Sequence, residues 1–301
     1  MSDTLITEAE SARDHALRHW TFHGNARMSV GSAEHKQMFC RMLLETHNPY
    51  KPAVFDWPQL SSDALKRITS LPIWDIAVQT EGRASIRVVT YAAQVRDPLV
   101  REAIEMDAAE EARHKHVLSR LVAAYGIKLA PEPDYPPPRD PEWAWMFTGY
   151  SECIDSFFAF GLFRSAQLSG YFPEELVETF EPVIQEEARH ILFFVNWVAW
   201  YRRTMPWWRR PWHSLRVGAI WVKLVWDRVA IAKGIDADGV AHDSNFLAAN
   251  GSTIGQALSP RQLIELCLQE NDQRMAGYDK RLVRPALVPM LARLALKFLR
   301  K

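Results

Sequence analysis

Apolar residues recur at helical spacing along most of this chain, and two of the resulting stripes are each interrupted by a single glutamate. In the first, Trp74, Ala77, Val78, Glu81, Ala84, Ser85, Val88 and Ala92 share a face; in the second, Trp145, Thr148, Gly149, Glu152, Ser156, Ala159 and Phe163 do. Both glutamates are thereby predicted to point inward. Further helices are expected over 5–20, 34–46 and 98–125, with a short one ending near Thr69 behind a Ser61 or Ser62 cap and Gly126 closing the helix before it. Prolines break the stretch HNPYKPAVFDWPQL, and APEPDYPPPRDPEW reads as an extended connection. Pro173 suits a helix start, Pro182 either kinks that helix or opens a new one, and Ser259 with Pro260 opens another that docks through Leu263, Ile264, Cys267 and Leu268. No strand pattern competes, so the expected class is all-α.

The pentapeptide EEARH occurs twice, at 110–114 and 186–190. Within each copy a Glu and a His three residues apart lie side by side on one helical face. Glu81 precedes Glu111 by 30 residues and Glu152 precedes Glu187 by 35. Buried carboxylates without partners cost several kcal/mol or take up protons, so two of them facing two Glu-His pairs call for cations between them. The expected metal ligands are Glu81, Glu111, His114, Glu152, Glu187 and His190. Glu110 and Glu186, one turn before the histidine of their own copy, are expected to accept its remaining imidazole N–H, while Arg113 and Arg189 balance the surplus negative charge.

On these residues the chain, over about residues 70–203, resembles the ferritin-like di-iron carboxylate superfamily. The resemblance implies a four-helix bundle holding two metals, bridged by Glu111 and Glu187 and capped by Glu81 with His114 and Glu152 with His190, that activates dioxygen. The ions would be iron at both positions or manganese with iron. N-oxygenases of this superfamily carry an additional His one turn before the second Glu-x-x-His; Val183 stands there, so their seven-ligand pattern is not transferred.

The separation of 76 residues between His114 and His190 predicts a pseudo-twofold arrangement at 71–203, with helical regions at 1–70 and 204–301 added to it. Gly82, Ala84, Ser85, Gly149, Ser156 and Ala159 leave space near the expected metals, either for a substrate or simply for close helix packing. Phe157, Phe158, Phe160, Phe163, Phe193 and Phe194 would wall that space, and Thr148 or Ser156 could position a metal-bound oxygen species. Tyr91, Tyr125, Tyr150 and Tyr171 could carry a radical only if close to the metals. His35 and His47 could each be a ligand in principle, but lone histidines on polar helices are read as surface residues.

Lys plus Arg and Asp plus Glu number 36 each, which gives no pull toward nucleic acid. Cys40, Cys153 and Cys267 have no CxxC spacing, which fits a reducing cytoplasm, and Cys153 is expected to pack against a neighbouring helix. The N-terminus has no signal-peptide pattern. Arg202, Arg203, Arg209 and Arg210 alternate with Trp207, Trp208 and Trp212 before a mostly apolar helix, and the C-terminus is again basic and amphipathic. Such segments fit the inner face of a membrane or, more commonly, packing on the bundle or a subunit. The polar loop between them matches an EF-hand only loosely. The expected activity is hydroxylation, desaturation or N-oxygenation of a largely apolar small molecule or lipid. Its electrons would come from an external reductase or ferredoxin, since no GxGxxG or ferredoxin cysteine set is present. Peripheral membrane contact, a homodimer, a non-catalytic iron-handling role and a radical-generating subunit are left open.

Overall fold

The order of capping residues along the chain sets the helices. In a computed structural model that describes residues 18–24, 27–50, 56–71, 73–232 and 258–299, α1 spans Ala33–Glu45, α2 Ser62–Thr69, α3 Trp74–Ala92, α4 Pro98–Ala124 and α5 Pro141–Leu168. These are followed by α6 at Glu174–Thr204, a 3-10 turn at Trp207–Arg209, α7 at Arg210–Ala232, α8 at Pro260–Ala276 and α9 at Leu287–Ala295. The helix expected over 5–20 lies almost wholly outside the described residues, as does most of the polar loop before Ser259.

Asp97 and Asp140 each accept a backbone N–H three residues on, from Val100 and Trp143, and each is followed by a proline, whose missing N–H costs nothing in the first turn. Both helices also end alike. Gly126 and Gly170, at φ 63° and 64°, take the left-handed position that a side chain disfavours. There Ile127 N–H bonds Val122 O and Tyr171 N–H bonds Ala166 O, each closing a Schellman motif. Ser61 caps α2, and Ser259 forms a full capping box with Gln262. Pro173 is the N-cap of α6, which runs through Pro182 without a break.

α3 packs against α4 and α5, α5 against α6, and α6 against α4, so four helices close a ring. The two lone-Glu helices are neighbours, as are the two EEARH helices. Between them lies an aromatic core in which Trp145 and Trp197 are 2% and 1% exposed and Tyr91 stacks on Trp145 at 5.7 Å. α1 lies on α4 and α6, and α8 crosses α5 where a Cβ on Gly161 would stand 2.3 Å from Cys267 Sγ. All three cysteines are buried free thiols, Cys153 within the aromatic core cluster.

Several of the small residues serve packing alone. A Cβ on Gly149 would meet the Phe194 ring at 2.3 Å, and one on Gly82 would meet Tyr135 of the Pro-rich connection at 2.8 Å. Gly82 thus admits that connection, which Lys115 also holds through Glu132 at 2.5 Å. Ser85 is turned to Ala108 O.

Candidate metal centre

On α4, Asp107, Glu111 and His114 fall on one stripe at i, i+4 and i+7, facing Glu187 and His190 of α6. Two groups of ligand atoms result. Glu81, Glu111, His114 and Glu187 each offer one atom, all within 4.8 Å of one another, and Asp107, Glu111 and His190 do the same. Glu111 belongs to both. Of the six ligands expected from sequence, five fall in these groups. Glu152 is in neither, though it lines a cavity beside them, and the carboxylate near His190 is Asp107.

His114 Nδ1 lies 3.2 Å from Glu187 Oε1 and 3.8 Å from Glu81 Oε2. His190 Nδ1 lies 2.9 Å from Glu111 Oε1 and 3.9 Å from Asp107 Oδ1. Yet both Nδ1 atoms, Glu111 Oε1 and Asp107 Oδ1 are buried without a hydrogen-bond partner among the described residues. Buried polar atoms nearly always have partners, so a set of them converging on common points fits cations. Oxygen and imidazole donors with no thiolate among them suit iron or manganese.

The outer Nε2 atoms are anchored, but not as the sequence implied. His114 Nε2 lies 2.8 Å from Glu186 Oε2, and His190 Nε2 lies 2.7 Å from Glu110 Oε2, so each glutamate serves the histidine of the other helix. The arginines are exchanged too. Arg113 donates to Glu186 Oε1 at 2.6 Å, and Arg189 donates to both Glu110 oxygens at 3.1 and 3.2 Å. A helical repeat puts Glu110 and His114 on one face, but the imidazole that turns Nδ1 inward aims Nε2 across the interface, where the facing helix's carboxylate stands. The outcome is a reciprocal brace between α4 and α6.

The end of α1 completes that brace. Arg189 donates to Leu43 O at 2.6 Å and Thr46 Oγ1 at 2.7 Å, and Arg113 donates to Asn48 O at 2.6 Å. His47 Nδ1 lies 2.6 Å from Glu110 Oε1, and His35 is fully buried with Nε2 2.9 Å from Asn196 Oδ1. Neither is a plain surface residue: the α1 face that carries His35 is covered by α4 and α6, and His47, just past the end of α1, reaches the buried Glu110. Tyr50 lies under the Arg113 guanidinium at 4.2 Å. Tyr91 and Tyr150 sit in aromatic packing, and Tyr125 donates to Pro58 O.

Electrostatics follow from burial. Burial and the Glu81 charge hold the Glu111 carboxyl well above its usual range; burial with the Asp107 and Glu187 charges does the same to Glu152. Burial pushes Asp107 up to about 6. Burial would lower both imidazoles, but it is outweighed by Glu186, Glu187 and Glu81 at His114 and by Asp107, Glu110 and Glu111 at His190, so both stay well above the ordinary histidine value. Without metal the cluster therefore stores protons that a cation must displace. Raising the pH from about 6, the value to which Asp107 is pushed, to about 8 lowers the number of protons a cation must displace, so apparent metal affinity is expected to climb, by up to ~10-fold per pH unit for each proton still displaced. Titration calorimetry with Mn(II) in buffers of different ionisation enthalpy reads both slope and proton count. An affinity flat across this range would show that these groups do not bind the ion.

A cavity of about 250 Å³ adjoins the cluster. Glu81, Glu111, Glu152 and Glu187 line it, and Ile73, Trp74, Leu121, Phe163, Phe172 and Phe180 are among its apolar walls. Ala84, Ser156 and Ala159 border it as their size implied. Of the six phenylalanines expected there only Phe163 does: Phe160, Phe193 and Phe194 are spent in the central core, and Phe157 and Phe158 pack in the cluster around Cys267. Ser156 donates to Glu187 Oε2 at 3.0 Å, while the Thr80 and Thr148 hydroxyls on the wall have no partner. No family model matches this chain, and neither a curated protein nor a solved structure shows significant similarity to it.

Proposed function

We propose that this chain is a ferritin-like di-iron carboxylate oxidoreductase that uses dioxygen to hydroxylate, desaturate or N-oxygenate a small, largely apolar substrate. The observation that carries this reading is the junction of a buried carboxylate and imidazole cluster with an apolar cavity. Glu81, Glu111, His114 and Glu187 would hold one ion, and Asp107, Glu111 and His190 the other, with Glu152 as the remaining carboxylate beside them. Two such ions, iron at both positions or manganese with iron, supply the redox chemistry toward dioxygen. The chain's own residues do the rest. Anionic oxygens offset the charge of the ions, and Glu110 and Glu186 hold the imidazoles in the orientation that leaves Nδ1 free. The apolar walls limit water and seat hydrocarbon. The free Thr80 and Thr148 hydroxyls can orient one polar group of the substrate. A volume of about 250 Å³ sits just below the usual range of small-ligand pockets, which argues for a small or slender substrate.

Non-catalytic iron handling would need no such cavity, and none of Tyr91, Tyr125, Tyr150 and Tyr171 lines it, which favours an oxygenase or oxidase over a radical-generating subunit. The test is metal content and dioxygen uptake after anaerobic loading with Fe(II) and reduction, across a panel of short amphiphiles. Close to two ions per chain and substrate-dependent uptake are expected. Ala159→Phe, which fills the cavity, should leave the metal content alone while raising KM at least ~10-fold. Absence of bound metal under every loading condition would end the reading.

A further inference from the structure

α7 is apolar on two sides. Ile220 and Leu224 are buried against the rest of the protein, whereas Trp212, Leu215, Ala219, Val222 and Trp226 form a stripe on the outside, with Trp226 and Val222 each 71% exposed. A helix apolar on two sides needs two apolar surroundings, and the described residues supply only one of them. α9 repeats the pattern. Val288 and Ala292 are buried, and Leu287, Met290, Leu291 and Leu294 are exposed, followed by Phe298 at 81%. Both helices pack on α5: Ile220 and Leu224 of α7 join the central core cluster, and Trp221 packs against the neighbouring cluster of Phe157 and Cys267 that also holds Val288 and Ala292 of α9. Their outer sides therefore face away from α5 together. Trp207 and Trp208, 78% and 60% exposed, extend this surface at the start of α7.

Charge decides what covers it. In a chain with equal numbers of acids and bases, residues 191–226 contain six Lys and Arg and no Asp or Glu, and residues 280–301 contain seven and none. Arg202, Arg203 and Arg209 are exposed beside the exposed tryptophans, and Arg293 and Lys297 beside the apolar side of α9. In a two-fold dimer through this face the cationic rims would meet each other. No described helix is long and apolar enough to cross a membrane. We infer that the outer faces of α7 and α9 form one docking surface for an anionic lipid bilayer, tryptophans at the headgroup level and arginines on the phosphates. This surface does not depend on the reading of the metal centre.

The test is flotation of the full chain with phosphatidylcholine vesicles with and without phosphatidylglycerol, at rising salt. Flotation only with anionic vesicles, weakening as salt rises, is expected. Arg202→Gln with Arg209→Gln should lower partitioning about 25-fold, from roughly fivefold per basic residue near such a surface. Trp212→Ser with Trp226→Ser should weaken flotation and reduce the blue shift of tryptophan emission on binding, to which Trp207 and Trp208 also contribute, and neither pair should alter metal content. Flotation with neither vesicle, or equally with both, would overturn the inference. So would a dimer in solution that the tryptophan pair dissociates while vesicles go unbound, since that assigns the face to a second copy.

Discussion

Glu111→Gln is expected to empty both metal positions at once, whereas Asp107→Asn should empty one. Glu111 is the residue common to both ligand groups, so its loss takes a donor from each; Asp107 serves only the group around His190. Loss of a supporting contact alone costs ~10–100-fold in metal affinity, and loss of a shared donor should exceed ~100-fold at each position. Metal analysis should then read below half an ion per chain for Glu111→Gln and about one for Asp107→Asn, against about two for the parent. The glutamine variant keeps the fold testable. Glu111 is 2% exposed, and burial together with the Glu81 charge favours its protonated form, so a neutral isostere adds no cavity and no new charge. Its metal-free melting temperature should equal or exceed that of the metal-free parent. If Glu111→Gln still holds two ions, the shared-donor geometry is wrong. If Asp107→Asn holds two with unchanged affinity, the dinuclear reading survives, and Glu152 becomes the carboxylate beside His190.

Sequence periodicity read the faces of helices well and their partners poorly. Glu81, Glu111, His114, Glu187 and His190 were legible because each breaks an apolar stripe or repeats within EEARH, and a 3.6-residue period says which way such a residue points. The period does not say which helix it meets. Hence Glu110 and Glu186 were paired with the histidines of their own helices, when in the structure each spans the interface. Asp107 had a signal that went unused. It stands one turn before Glu111, at the position where the second copy has Val183, and it is the one acidic residue of α4 without an acidic mate at the matching position of α6. His47, Thr46 and Tyr50 had none, because they follow α1 in a proline-broken stretch whose path only the tertiary fold determines. The cavity walls fall in the same class: Phe172 and Phe180 come from the turn after α5 and the first turns of α6, far in sequence from the small residues that border the same space. The tally of phenylalanines on α5 could not tell which of them the central core would claim.

The reciprocal brace should be the most costly feature of the site to break, and Arg189→Met is the change that breaks it. Arg189 is 1% exposed, and its guanidinium reaches Glu110, Thr46 Oγ1 and Leu43 O. Glu110 is fully buried, and despite burial, the Arg189 charge and the contacts from His190 and His47 hold its carboxyl well below the usual range. Removing the guanidinium leaves a carboxylate whose remaining neighbours are those two imidazoles and Arg113 at 3.8 Å. Breaking one side of a buried pair costs ~3–5 kcal/mol, which for a chain of this size lowers the melting temperature by ~5–8 °C. Arg113→Met should cost less than half of that, because Arg113 is 13% exposed and water can solvate Glu186 in its place. Adding Glu110→Gln to Arg189→Met should recover much of the loss, since no uncompensated charge then remains. The metal readout separates this from a general packing defect. His190 loses the partner that fixes Nε2 when Glu110 is neutralised, so the double variant should be stable yet bind the ion beside His190 ~10–100-fold more weakly, with the position around His114 unaffected. Equal small losses for the two arginine variants would show that the brace carries no special share of stability and that the pairing across α4 and α6 is incidental.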